Sequence, residues 1–376
     1  MKKLCLSVDV LFAALCAAQP VCAQAPPANE EAAVRQAVST VMRHYMQTSK
    51  APGAIVGVSV HGRRYFFHYG QATDTGAPFT PDTLVEIGSN TKTFTTALFA
   101  LAVSRGQIAT DESIQKHMPD GMKLQTLAQK ATPLQLASFQ SGMPDDPTNL
   151  PPQLEMRSIE HYTTKDFLTW VSHWKPAVPP PAPYLYSNSG IGLLSYLVMN
   201  ATGKGWEEQL NNEIVNPLGM KDTELRPTPE QQQRLARGHL KNGNNAPIWP
   251  IFAWYAAGGL RSTARDMLSY GEANLGHAKV QGKPVPADVT RAMQQAQAPI
   301  YPLPPPAKAQ QAMAWVVTDA DPASGLASIT WKDGGTAGFS SGIVLHHGKD
   351  IAVFVAVNEA SQPAPGLGIN IARHIP

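Results

Sequence analysis

Between Glu30 and Met46, apolar side chains recur at helical spacing: Ala33, Val34, Ala37, Val38, Val41, Met42 and Tyr45. That spacing predicts a helix with one face turned to a core. Ala54–Val60 and Arg64–Tyr69 are rich in β-branched and aromatic residues, and His61-Gly62-Arg63 between them predicts a hairpin. From Ser89 to Val103 apolar residues occupy every turn, which predicts a buried helix. Helical segments and loops then dominate as far as Ala257. Two proline clusters, Pro176–Pro183 and Pro302–Pro306, read as rigid surface loops rather than domain linkers. Strand signals return at Ala312–Thr318, Ala327–Trp331, Ser340–His347 and Ile351–Val357, with a turn at Gly348-Lys349-Asp350 and a closing helix over Gly366–His374. Strands at both ends and helices between them predict an α+β fold. Residues 24–88 and 258–376 would build one antiparallel sheet flanked by helices, and residues 89–257 a mainly helical region of the same unit.

The start of the chain stands apart. Lys2 and Lys3 precede a mostly apolar run from Leu4 to Ala18, and Val21-Cys22-Ala23 supplies small residues at a cleavage spacing. This predicts a secretory signal peptide over residues 1–23 and a periplasmic or secreted protein without a stable membrane anchor. Asp9 is atypical of such a run. All three cysteines, Cys5, Cys16 and Cys22, fall in this leader. The mature chain therefore has no disulfide framework, thiolate metal site or cysteine nucleophile. The 376 residues are 43% hydrophobic and 15% charged with a net charge of +2, a globular composition with no basic run that would suit nucleic acid. Composition leaves the oligomeric state open.

Three short motifs can carry chemistry. In Ser89-Asn90-Thr91-Lys92 the first and last residues share a helix face, about 5–6 Å apart at Cβ. A lysine held among apolar residues loses preference for its charged form and can accept the serine proton. Read alone, the motif is more often an N-cap at Ser89 with Lys92 on the surface, because Ser-x-x-Lys recurs by chance. In Tyr186-Ser187-Asn188, on a loop entering another apolar helix, the phenol can relay a proton and the amide can meet a substrate carbonyl and Lys92. In Lys332-Asp333-Gly334-Gly335-Thr336, the glycines permit close approach to a strand edge, and a backbone N–H there can complete an oxyanion hole. Three other patterns compete. Gly338-Phe339-Ser340-Ser341-Gly342 matches a nucleophile elbow but leads into a strand rather than a helix. Glu207–Asn211 reads as a solvated helix face. His346 and His347 are adjacent on a strand, so they face opposite sides and cannot chelate together.

The order Ser-x-x-Lys, Tyr-x-Asn, Lys-x-Gly in an exported, cysteine-free chain resembles the class C β-lactamase and penicillin-binding serine hydrolase family. Thr132–Pro144, Pro217-Leu218-Gly219-Met220 and Ala257–Asp266 resemble further segments of it, so the likeness spans about residues 30–375. The resemblance implies the serine β-lactamase/DD-peptidase fold and an acyl-enzyme mechanism without a cofactor. It implies Ser89 as nucleophile, Lys92 and Tyr186 sharing acid and base work, and Asn188 orienting substrate. Ser89 and Gly335 would offer N–H groups to the oxyanion, and Lys332 would supply field. The substrate it implies is a small-molecule β-lactam. Its alternatives are a peptidoglycan peptide (DD-peptidase or D-aminopeptidase), an ester, and a silent penicillin-binding sensor. Asp333 stands where the family carries a hydroxyl that binds the substrate carboxylate. Three arrangements are open: Lys332 or an arginine neutralises Asp333 and leaves Thr336 or Ser340 to bind the carboxylate; the substrate lacks a carboxylate or carries an amine; or a divalent cation bridges Asp333 and substrate.

Overall fold

The apolar runs near the two chain ends pair with each other. Strands β1 (Gly53–Val60) and β2 (Arg63–Gly70) form the first hairpin, and β3 (Leu84–Glu86) pairs with β4 (Arg261–Thr263) in a separate small sheet. Strands β5 (Lys279–Val280) and β6 (Lys283–Pro284) form a minor hairpin. Then come β7 (Tyr301–Pro302), β8 (Ala309–Gln311), β9 (Val316–Thr318), β10 (Thr330–Gly335), β11 (Ser340–His346) and β12 (Ile351–Val357). The main sheet has eight antiparallel strands in the order β2-β1-β12-β11-β10-β9-β8-β7. This computed structural model describes residues 28–150, 159 and 161–376; the predicted leader lies outside them.

Strands β1, β11 and β12 are buried along their whole length, because helices cover both faces. The helices of ten or more residues are α1 (Ala28–Thr48), α2 (Thr91–Ser104), α3 (Thr164–His173), α4 (Asn188–Thr202), α5 (Ala264–Leu275), α6 (Ala287–Ala296) and α7 (Ala364–His374). Val56, Val58, Val353 and Val355 pack with Val34, Val38 and Met42 of α1 and Ile371 of α7. The alternate positions Ile55, Ile343, Leu345 and Phe354 face the larger core with Leu268 of α5. A one-residue slip of β12 would exchange Phe354 with valine-sized space, an overpacking that costs about 1–3 kcal/mol.

Two expectations change in detail. Ala312–Thr318 is not one strand: Ala312 N–H donates to the Trp315 carbonyl at 2.9 Å, and Ala314 turns left-handed at φ 59°. The continuous apolar run Ala312–Val317 reads like a buried strand and hides this turn, which buries Trp315 completely. The strand expected over Ala327–Trp331 instead begins at Thr330 and continues to Gly335, so Lys332, Asp333 and Gly334 lie within it. The small β3–β4 sheet has no counterpart in the sequence reading. It fastens the segment before Ser89 to the segment after Ala257, with Ile87 N–H donating to the Leu260 carbonyl at 3.1 Å.

Candidate active site

Ser89 sits in a single tight helical turn, Gly88–Asn90, that leads directly into α2. Residues Thr91 to Ala102 of α2 are all buried, so the helix carries Lys92 into the interior at 0% exposure. Three acceptors meet its three N–H groups: Ser89 Oγ at 2.9 Å, Asn188 Oδ1 at 2.5 Å and the Ala257 carbonyl at 2.7 Å. Burial pushes the Lys92 ammonium below its ordinary pKa, the nearby Tyr186 opposes that fall, and the Lys332 charge adds to it.

Tyr186 comes from the loop before α4. Leu185 N–H donates to the Phe139 carbonyl at 3.0 Å, Ser187 caps α4 by accepting from Gly190 N–H, and Ser187 Oγ donates to the Pro144 carbonyl at 2.7 Å. The phenol is thereby fixed with its hydroxyl 2.7 Å from Ser89 Oγ. Lys92 Nζ and Lys332 Nζ lie 4.9 and 5.1 Å from the Tyr186 ring centre. Burial opposes the phenolate, but the two ammonium groups outweigh it and bring the Tyr186 pKa below that of ordinary tyrosine. A serine hydroxyl thus has two proton-transfer partners, both more easily deprotonated than usual.

The end of β10 forms the opposite wall. Thr336 N–H donates to the Phe339 carbonyl at 3.0 Å, so by antiparallel alternation the Gly335 N–H points away from β11, along the open edge. Strand β9 pairs only with Thr330 and Trp331, which leaves Lys332–Gly335 as that edge. The strand lies against the Gly88–Asn90 turn. A Cβ on Gly88 would fall 2.5 Å from the Gly335 carbonyl oxygen and 2.7 Å from its nitrogen, and Gly88 has φ +49°. We expect Gly88→Ala to lower kcat about 10²-fold by displacing this wall. Steady-state kinetics check this, and an unchanged kcat would show that the contact does not set the site.

The remaining candidates separate. Asn188 Oδ1 holds Lys92, while its amide N–H faces Asp146 Oδ1 at 3.4 Å. Lys332 is buried at 3% and donates to the half-exposed Asp333 carboxylate at 2.5 Å. Burial disfavours its charge, but Tyr186 and Asp333 more than compensate and hold it protonated, while Lys332 keeps the Asp333 carboxyl below the usual range. Neither hydroxyl named as a carboxylate ligand is presented to a substrate: one is committed as a donor and the other is buried. Thr336 Oγ1 donates to the buried Glu86 at 2.7 Å and accepts from Gly338 and Phe339 N–H. Ser340 is 4% exposed in β11 and accepts from Gln362 N–H at 2.7 Å, in a strand rather than an elbow. Among the described residues, no group of three or more His, Cys, Asp or Glu is arranged to hold a metal ion. His347 meets Gln297 Oε1 at 2.9 Å, and Glu207 pairs with Arg226, both away from Ser89.

Sequence reasoning did not single out Glu86, Asn90 or the Ala257 carbonyl. Glu86 ties the β10–β11 turn to Trp249 N–H at 2.6 Å, and Asn90 donates to Ser341 Oγ at 2.8 Å. Their partners lie far away in sequence, so only the resemblance of Ala257–Asp266 to a family segment hinted that this stretch nears the site.

The profile of the beta-lactamase family matches residues 38–374. A β-lactamase of Pseudomonas fluorescens is 30% identical over 66% of this chain and 66% of its own length. The chain thus spans about two thirds of that relative. The D-alanyl-D-alanine-carboxypeptidase/endopeptidase AmpH of Escherichia coli (strain K12) is 28% identical over 94% of this chain and 91% of its own. In shape the chain is similar to a class C β-lactamase from Rhodobacter sphaeroides, with TM-score 0.75, 24% identity and coverage of 90% and 98% of the two chains. Serine enzymes of this family need no cofactor. With the match running nearly end to end over an antiparallel sheet flanked by helices, this chain belongs to the beta-lactamase family of serine hydrolases.

Proposed function

We propose that the protein hydrolyses β-lactams through an acyl-enzyme on Ser89, and that it does so in the periplasm or after secretion. The observation that carries the reading is the serine hydroxyl held between Lys92 Nζ at 2.9 Å and Tyr186 Oη at 2.7 Å. Ser89 Oγ attacks the lactam carbonyl, and its proton passes to the Lys92–Tyr186 unit. The N–H groups of Ser89 and Gly335 receive the oxyanion, and the same unit returns the proton to the departing nitrogen. Water then cleaves the ester by the reverse transfer. The leader with Lys2, Lys3 and Val21-Cys22-Ala23 supports export.

A second reading, a peptidase acting on D-alanyl peptides of the cell wall, is supported by the AmpH relative aligned along nearly the whole chain. The two readings share acylation and differ in the lifetime of the acyl-enzyme. The test follows ring opening by absorbance and protein mass over time with a penicillin, a cephalosporin and a carbapenem. A transient adduct with accumulating product is the expected result. A lasting adduct without product would replace β-lactam hydrolysis by the peptidase or sensor reading, and no adduct would point to an esterase.

A further inference from the structure

On the acyl-enzyme reading, a substrate bound at Ser89 lies along the open edge of β10 from Lys332 to Gly335, whose side chains can be sorted by what they offer. Lys332 is buried, and its ammonium is committed to Asp333. The Thr336 hydroxyl is committed to Glu86. Ser340 is buried under Gln362. None of these side chains presents an uncommitted donor at the surface of the edge. What does face solvent is the carboxylate of Asp333, whose side chain is 55% exposed beside a lysine exposed by only 3%. The ion pair is therefore a dipole with its negative end toward the substrate.

The same geometry says which part of a substrate meets it. Tyr186 Oη meets Ser89 Oγ at 2.7 Å, Lys332 Nζ lies 5.1 Å from the Tyr186 ring centre, and Asp333 Oδ1 lies 2.5 Å from that ammonium. A leaving group departs toward the group that protonates it. It therefore departs along the Asp333 side.

We infer that Asp333 makes this wall a charge filter, favouring substrates whose leaving group is cationic over neutral ones and disfavouring those that carry a carboxylate there. The inference rests on the acyl-enzyme reading at Ser89 and deepens it. Like charges at this wall repel, and the Lys332 field that would offset the repulsion is already spent on Asp333. Carboxylate-bearing β-lactams are then accepted against this field rather than with it.

The test uses three thioesters of one acyl group, N-acetyl-D-alanine, with thiocholine, mercaptoethanol or mercaptoacetate as leaving group. Water cleaves each to the same acid, and the thiol released is measured directly. In the wild type, kcat/KM should fall from the cationic to the neutral to the anionic ester, by about tenfold or more between the extremes, and the spread should shrink in 1 M NaCl. Asp333→Asn removes the charge with little change of shape and frees Lys332, so the order should invert; Asp333→Thr should raise activity on the mercaptoacetate ester and on penicillin. An anionic ester hydrolysed fastest by the wild type, or an order unchanged in Asp333→Asn, overturns the charge filter alone. Hydrolysis of none of the three by the wild type overturns the acyl-enzyme reading and this inference with it.

Discussion

Ser89→Ala is expected to abolish turnover and covalent labelling, lowering kcat by at least about four orders of magnitude while leaving the fold intact. The size follows from the chemistry. Without the hydroxyl no acyl-enzyme forms, and what remains is binding and the oxyanion donors, which accelerate direct attack by water only modestly. The fold should survive because Ser89 is partly exposed and its loss leaves Lys92 with two acceptors, Asn188 Oδ1 and the Ala257 carbonyl. The competing nucleophile is Ser340. It is buried, and Gln362 N–H donates to its hydroxyl, so Ser340→Ala should cost stability rather than chemistry. Circular dichroism, thermal melting and turnover on both variants decide. Loss of activity in Ser340→Ala but not in Ser89→Ala would replace this nucleophile.

The second large effect concerns Lys92 and Tyr186 together. Lys92→Ala and Tyr186→Phe should each lower kcat by about 10²–10⁴-fold, and the double variant should be little worse than either alone. Both atoms touch the same serine oxygen, and each side chain shifts the other's proton affinity, so they titrate as one unit. The pH profile carries the same signature. The unit accepts the serine proton only after losing its own. Both pKa values are displaced downward, so kcat/KM should rise with pH and level off below the range of an unperturbed tyrosine or lysine, about pH 10. Multiplicative losses in the double variant, or an acid limb near pH 10, would show two independent groups instead of a unit.

Much of this site was legible because its parts are local. The i, i+3 spacing of Ser89 and Lys92 requires only that the helical path of α2 extend one turn earlier, and the unbroken apolar run that follows signals the helix. The sheet was legible where burial on both faces leaves continuous runs, as in β1 and β12. It was not legible at β3 and β4, where three-residue strands carry no periodicity, nor at Ala312–Trp315, where a turn sits inside a continuous apolar run. The fate of Thr336 was hidden for another reason. Its partner Glu86 lies 250 positions away, and a buried carboxylate that captures a hydroxyl leaves no mark in the neighbouring residues. Asp333 was the reverse case. Its partner is the adjacent Lys332, and the neutralisation expected between them is the pairing found at 2.5 Å. Neither of the two hydroxyls expected to take over the carboxylate is presented to a substrate, so a carboxylate-bearing substrate meets Asp333 without a hydroxyl to bind it.

The most direct measurement is the position of the acyl group. The protein is mixed with penicillin, quenched in acid within the first turnovers, digested, and its peptides sequenced by mass spectrometry. The account predicts a single penicilloyl ester on Ser89, whose signal decays as product accumulates in the wild type. An ester on Ser340 or on any other residue, or rapid hydrolysis with no adduct trapped on Ser89, would contradict it.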